Sequence, residues 1–104
     1  MILNAIKEKI SDNKFLLTGH AIIESARDRI DDADIKHAIL GGEIIESYPD
    51  DVRGVSVLVS GTTRGGRPLH VVIGVASEEP VIITVYTPEP PKWITPHKRG
   101  KREP

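Results

Sequence analysis

The sequence predicts an α+β fold, with two or three N-terminal helices packed on one face of a roughly four-stranded antiparallel sheet. Three observations carry that expectation. Residues 55–61 (VSVLVSG), 67–74 (RPLHVVIG) and 80–86 (PVIITVY) are rich in β-branched side chains and bounded by Gly, Pro or charge, as strands are. The gaps between them, 62–66 and 75–79, are too short for the crossover a parallel pair needs, so the three read as an antiparallel meander. Ahead of them the apolar residues recur at helical spacing, and helices segregated from strands argue α+β.

Ile2, Leu3, Ile6 and Ile10, with Lys7, Glu8 and Lys9 between them, predict an amphipathic helix over 2–10 that ends at Ser11-Asp12-Asn13. Phe15-Leu16-Leu17 reads as a short strand or as the lead-in to the next helix. Thr18 is a good N-cap for a second helix over 19–29, whose apolar stripe is Ile22, Ile23, Ala26 and Ile30. His20, Glu24 and Arg27 follow at i, i+4 and i+7 along one edge of that stripe, so they can meet. Asp31 or Asp32 caps a third helix, which buries Ile35, Ala38 and Ile39 and stops at Gly41-Gly42. Its acidic first turn, Asp32 and Asp34, suits the positive helix end. Residues 43–48 (EIIESY) form a first sheet strand, and Pro49-Asp50-Asp51 turns the chain into the meander.

Alternation divides the meander into two faces. Val55, Val57, Val59, Leu69, Val71, Ile73, Val81, Ile83 and Val85 make an aliphatic face for the helices to cover. The opposite face carries Ser56, Leu58, Ser60, His70, Val72, Ile82, Thr84 and Tyr86, and is expected to stay uncovered, as one face of an antiparallel sheet often does. From Pro88 the prolines exclude regular helix or sheet. Residues 1–91 therefore read as one domain and 92–104 as a basic, Pro-containing tail, with Trp93 as its one large anchor.

The chain has 104 residues and a formal charge of −1, so as a whole it is no obvious polyanion binder. Residues 92–104 hold five of the 14 Lys/Arg and one of the 15 Asp/Glu, which leaves the body near −5. The basic end is therefore either a solvated terminus or a nucleic-acid contact. The absence of cysteine excludes disulfides, thiolate chemistry and Cys-based zinc sites. No apolar run approaches the ~20 residues that span a bilayer, and the N-terminus lacks the basic and apolar regions of a signal peptide. A soluble cytoplasmic protein with no membrane partner is expected.

Four blocks, TGHAIIESA at 18–26, DIKHAILGGEIIESYPDD at 34–51, GRPLHVV at 66–72 and IITVYTPEPPKW at 82–93, stand in an order that resembles the domain of unknown function 4258 family of bacteria. The resemblance covers roughly residues 15–93. Many members carry an Arg-Gly pair where this chain has Asp28-Arg29. The family's helices-then-sheet layout is similar to that of RelE/ParE-like toxins, some of which cut mRNA on the ribosome. That analogy implies RNA or the ribosome as target and an antitoxin-like protein as partner.

Such cleavage needs a base for the ribose 2′-OH, an acid for the leaving oxygen and cations on the phosphate, and no metal. The residues of the right type are His70 as base or acid, Tyr86 as its proton partner, His20 as a second acid or base, and Arg67 and Arg64 on phosphate. Each has a structural rival. His70 can be a sheet histidine bonded to a carboxylate such as Glu46, Tyr86 can cap a core edge, His20 can serve the helix terminus, and both arginines can be solvated in their turn. His37 reads as surface, and His97 lies in the tail. A metal set of His20, His70 and Glu46 or Asp50 has no supporting spacing such as HExxH, and no cofactor is expected. Gly65-Gly66 is a hairpin turn and not a phosphate loop.

The second reading is a non-catalytic binding or regulatory module that uses the polar sheet face or an edge strand. The acidic body favours it, because RNA cleavage sites want cationic surroundings. A free edge strand also allows a symmetric homodimer.

Overall fold

The structure is a computed structural model that describes residues 2–52, 54–89 and 93–99, with main chain alone for Trp93, Ile94, Lys98 and Arg99. In chain order the elements are α1 (Ile2–Ser11), β1 (Leu16–Leu17), α2 (Gly19–Arg27), α3 (Asp32–Leu40), β2 (Glu43–Tyr48), β3 (Ser56–Thr62), β4 (Pro68–Gly74), β5 (Val81–Tyr86), β6 (Trp93–Thr95) and β7 (Lys98–Arg99). The α+β class and the meander are as predicted. The sheet itself differs: it has five strands in the order β1-β5-β4-β3-β2, and β1 runs parallel to β5. The parallel pair is possible because α2, α3 and β2–β4 separate its two strands in the chain.

Branched aliphatic side chains specify the face that α1 and α3 cover. Ile6 and Ile10 of α1, Ile35, Ala38 and Ile39 of α3, and Val57, Val59, Leu69, Val71, Ile73, Ile82 and Val85 of the sheet form one buried cluster. At its centre α3 approaches the sheet backbone to backbone. A Cβ on Gly61 would lie 2.0 Å from the Ala38 carbonyl oxygen, and one on Gly42 would lie 2.4 Å from the same atom. Gly41, by contrast, has an ordinary φ of −97°. Gly42 is thus explained by close approach, and Gly41 is not a left-handed helix end.

Three expectations about faces are corrected. First, Ile22 and Ile23 do not point inward; they are 55% and 66% exposed, while Ala21 and Ser25 are buried. The cause is that α2 lies along the edge of β5 instead of on the aliphatic face. Thr18 caps it by accepting from the Ala21 N–H at 3.1 Å, and the same hydroxyl donates to the Ile83 carbonyl at 2.8 Å. Second, a bulge in β5 pairs Val72 with Thr84 but Ile73 with Ile82. The extra residue, Ile83, inverts the alternation, so Ile82 joins the core and Val81 and Ile83 move to the other face. Third, Val55 precedes β3 and is 40% exposed.

The tail is also more regular than its prolines suggested. β6 and β7 pair as a two-stranded antiparallel ribbon, turning at Pro96-His97 between the strands, where proline leaves the ladder intact. The expected docking of Trp93 concerns a side chain outside the described ones. Among the described residues, no helix is long and apolar enough to cross a membrane.

Candidate active site on the second sheet face

Register places the first predicted pair together. β4 and β5 set His70 opposite Tyr86, and β3 sets Ser60 opposite His70. The two rings meet edge-on, with centroids 5.2 Å apart at 67°. His70 Nδ1 lies 3.1 Å from the Tyr86 hydroxyl, and Nε2 lies 2.6 Å from the Pro96 carbonyl oxygen. That carbonyl also accepts a long bond of 3.5 Å from Ser60 Oγ. The expected bond from His70 to Glu46 is replaced by these contacts, and the Tyr48 hydroxyl donates to Glu46 instead. The face was expected to be uncovered. At His70 it is not: the imidazole is fully buried, because the ribbon turn lies over it. Tyr86 is half-buried.

The edge position of α2 builds a second cluster. His20 Nε2 lies 3.2 Å from Glu24 Oε2, with the histidine side chain 69% exposed and the glutamate 12%. The other carboxylate oxygen of Glu24 accepts from the Thr84 hydroxyl and, at 3.1 Å, from the Val85 N–H. A main-chain donor at a sheet edge needs an acceptor, and here a helix side chain supplies it. Thr84 and Tyr86, two residues apart on β5, put this cluster and the His70 pair on one side of the sheet.

Between them, α2 and the chain around Tyr86 bound an open cleft of about 450 Å³, lined by Arg27, Asp28, Arg67, Tyr86, Thr87 and Glu89. Arg67 reaches it from the β3–β4 turn. One of its terminal nitrogens donates to the Asp28 carbonyl at 3.1 Å, and its main-chain N–H donates to Thr63 Oγ1 at 3.1 Å. Arg27 Nε lies 3.7 Å from Asp28 Oδ1. Two guanidinium groups thus flank a phenol that leans on a buried imidazole. Asp28 and Glu89 balance their charge.

A family model for the domain of unknown function 4258 (DUF4258) matches residues 17–87. The chain belongs to the DUF4258 family. No curated protein and no solved structure matches it. The DUF4258 span contains His20, Glu24, Arg27, Arg64, Arg67, His70 and Tyr86 and stops short of Pro96.

Within this DUF4258 chain, Arg64 is placed elsewhere. Its Nε donates to Asp34 at 3.0 Å and a terminal nitrogen to Asp31 at 2.7 Å, and its own N–H reaches Asp34 at 3.1 Å. The side-chain bond from Arg64, then its main-chain bond, hold the Asp34 carboxyl below the usual aspartate range, and the same carboxylates raise the Arg64 guanidinium. Arg64 therefore ties the β3–β4 turn to the start of α3. His37 is exposed, as expected, with Nδ1 2.7 Å from the Thr62 carbonyl oxygen. His97 pairs with Glu43 at 3.2 Å. Among the described residues, no three His, Asp or Glu side chains gather as a metal site would require.

The predicted residues are therefore brought together in part. His70, Tyr86, His20 and Arg67 reach the second face and its rim, and Arg64 does not. Helical spacing groups Glu24 and Arg27 with His20 but gives them no part in the chemistry. The Pro96 carbonyl had no such signal, since a main-chain acceptor leaves no mark on residue type.

Proposed function

We propose that the second sheet face is a metal-independent RNA-cleaving site on a toxin-like scaffold of RelE/ParE type. The observation that supports this reading most is the exposed His20 imidazole held against Glu24. A bare surface His–Glu pair is worth only a few tenths of a kcal/mol to a helix. Here the carboxylate is anchored on β5 from behind, which orients the ring as the third member of a catalytic triad orients its base.

In this reading Tyr86, backed by His70, takes the ribose 2′-OH proton, and His20 protonates the leaving 5′ oxygen. Arg67 and Arg27 hold the phosphate between them, and Arg64 serves the fold. The products are a 2′,3′-cyclic phosphate and a free 5′-hydroxyl. Induced expression in bacterial cells tests it. Growth arrest that His20→Ala and Tyr86→Phe both relieve is the expected result, and harmless expression of the folded wild-type chain would refute it.

A second reading has its own support. Ile22, Ile23 and Leu16 are 55%, 66% and 58% exposed along the β5 edge, and the cleft carries as many carboxylates as cations. Those features suit a protein-binding module that uses the β1 edge. The same expression experiment separates the two. A cellular effect that survives His20→Ala but is lost in Ile22→Ser/Ile23→Ser belongs to the module.

A further inference from the structure

We propose that the 93–99 ribbon is a working part of this site: the Pro96 carbonyl fixes the His70 tautomer so that protons move from Tyr86 toward the buried ring. The inference rests on the RNA-cleaving reading for its function, but its geometry stands apart from it.

A carbonyl oxygen can only accept, so His70 Nε2, 2.6 Å from Pro96 O, carries a hydrogen and donates it. A neutral imidazole has one N–H, so Nδ1 is then the acceptor and the Tyr86 hydroxyl, 3.1 Å away, is the donor. Tyr86 also lines the cleft that Arg27 and Arg67 line, so the same phenol belongs to the bond with the buried ring and to the wall of the cleft. The opposite tautomer would set Nδ1–H against the phenol and place a bare Nε2 against the carbonyl, which is repulsive.

The ribbon turn that carries this carbonyl is held at neighbouring points. Ser60 donates to Pro96 O, and His97 pairs with Glu43 on β2. It therefore reaches across β2, β3 and β4 to a ring that itself meets β5. The matched family span ends at residue 87, so Pro96 supplies from outside it a contact to a residue inside it.

The proton balance follows. The 2′-OH proton passes to Tyr86 Oη as the phenol's own proton passes to His70 Nδ1, leaving His70 as imidazolium with both N–H groups donating. The 2′ oxygen bonds to phosphorus, the bond from phosphorus to the 5′ oxygen breaks, and that oxygen takes a proton from His20 imidazolium. The site resets as Tyr86 gives a proton to water in the cleft while the Nδ1 proton of His70 returns to the phenol oxygen, and His20 takes a proton from water. Pro96 is a positioning residue, and it touches no substrate.

The test is nitrogen-detected NMR of the ¹⁵N-histidine-labelled full chain, together with RNA cleavage. The expected signature is a protonated Nε2 and an acceptor Nδ1 for His70. In Tyr86→Phe, Nδ1 should shift while Nε2–H persists, and cleavage should fall about 100-fold or more. His70→Gln, which can still donate to Pro96 O but cannot accept a proton, should lose cleavage to the same degree with the fold retained by circular dichroism. A protonated Nδ1, or averaging between tautomers, overturns the proposal whatever the activity. Cleavage that is lost in His20→Ala but kept in Tyr86→Phe overturns the relay and leaves the RNA-cleaving reading standing. A wild-type chain with the expected tautomer and no cleavage overturns that reading and the relay's role together.

Discussion

The two faces of the sheet are closed by different chemistry. Under α1 and α3 the seal is volume: isoleucine and valine side chains fill the layer, and Gly61 and Gly42 let the helix main chain touch the strands. Over His70, among the described residues, the contacts are hydrogen bonds to one turn of the ribbon. The first kind of contact is additive over many atoms and tolerates no extra carbon. The second is directional and can be edited one atom at a time. A face closed that way can remain stable while it keeps polar side chains at its rim.

Substitutions sharpen the contrast in descending order of effect. Gly61→Ala should be the most damaging, because the added methyl meets Ala38 main chain that cannot rotate away. A loss of about 3 kcal/mol or more is expected in urea unfolding. Ile39→Ala, which leaves a cavity in the same layer, should cost about 2–4 kcal/mol. On the second face, His70→Leu keeps comparable bulk but removes a donor from the Pro96 carbonyl and an acceptor from Tyr86. About 1–3 kcal/mol is expected there. Should His70→Leu cost more than Gly61→Ala, the contrast between the two seals fails.

Smaller effects lie at the rim. Arg29 has a φ of 56°, a left-handed conformation that glycine adopts at no steric cost. Arg29→Gly should therefore stabilise the fold by about 0.5–1 kcal/mol, measured as a higher urea midpoint. The Asp34–Arg64 tie should be the weakest, since the Arg64 side chain is 56% exposed. Asp34 has a folded pKa lowered from its ordinary 3.8, chiefly by the Arg64 hydrogen bond. Its contribution is thus present above that value and lost as the pH falls through the lower folded one. The stability difference between wild type and Asp34→Asn should be visible at pH 6 and should shrink progressively below pH ~3.5.

The helix-covered face was legible because alternation and helical spacing record burial directly. Ile6, Ile10, Ile35, Ala38, Ile39, Val57, Val59, Val71 and Ile73 are buried as their spacing implied. Sequence failed where a tertiary choice overrode the local pattern. The Ile22-Ile23 stripe pointed α2 at the core, but Thr18 and Glu24 bond the main chain of β5 and hold the helix at the sheet edge. A single inserted residue, Ile83, inverted half of β5, and a bulge has no residue signature. The meeting of His70 and Tyr86 was foreseeable from the meander alone. The burial of His70 was not, because the groups that cover it belong to a proline-rich end whose bond is made by main chain.

RNA cleavage at this site is tested by incubating the purified 104-residue chain with a single-stranded RNA in excess EDTA, with its all-2′-deoxy counterpart in parallel. The expected result is RNA products that end in 2′,3′-cyclic phosphate and 5′-hydroxyl, an intact deoxy strand, and a loss of about 100-fold or more in His20→Ala and in Tyr86→Phe. RNA left intact, or a deoxy strand cut at the same rate, would contradict it.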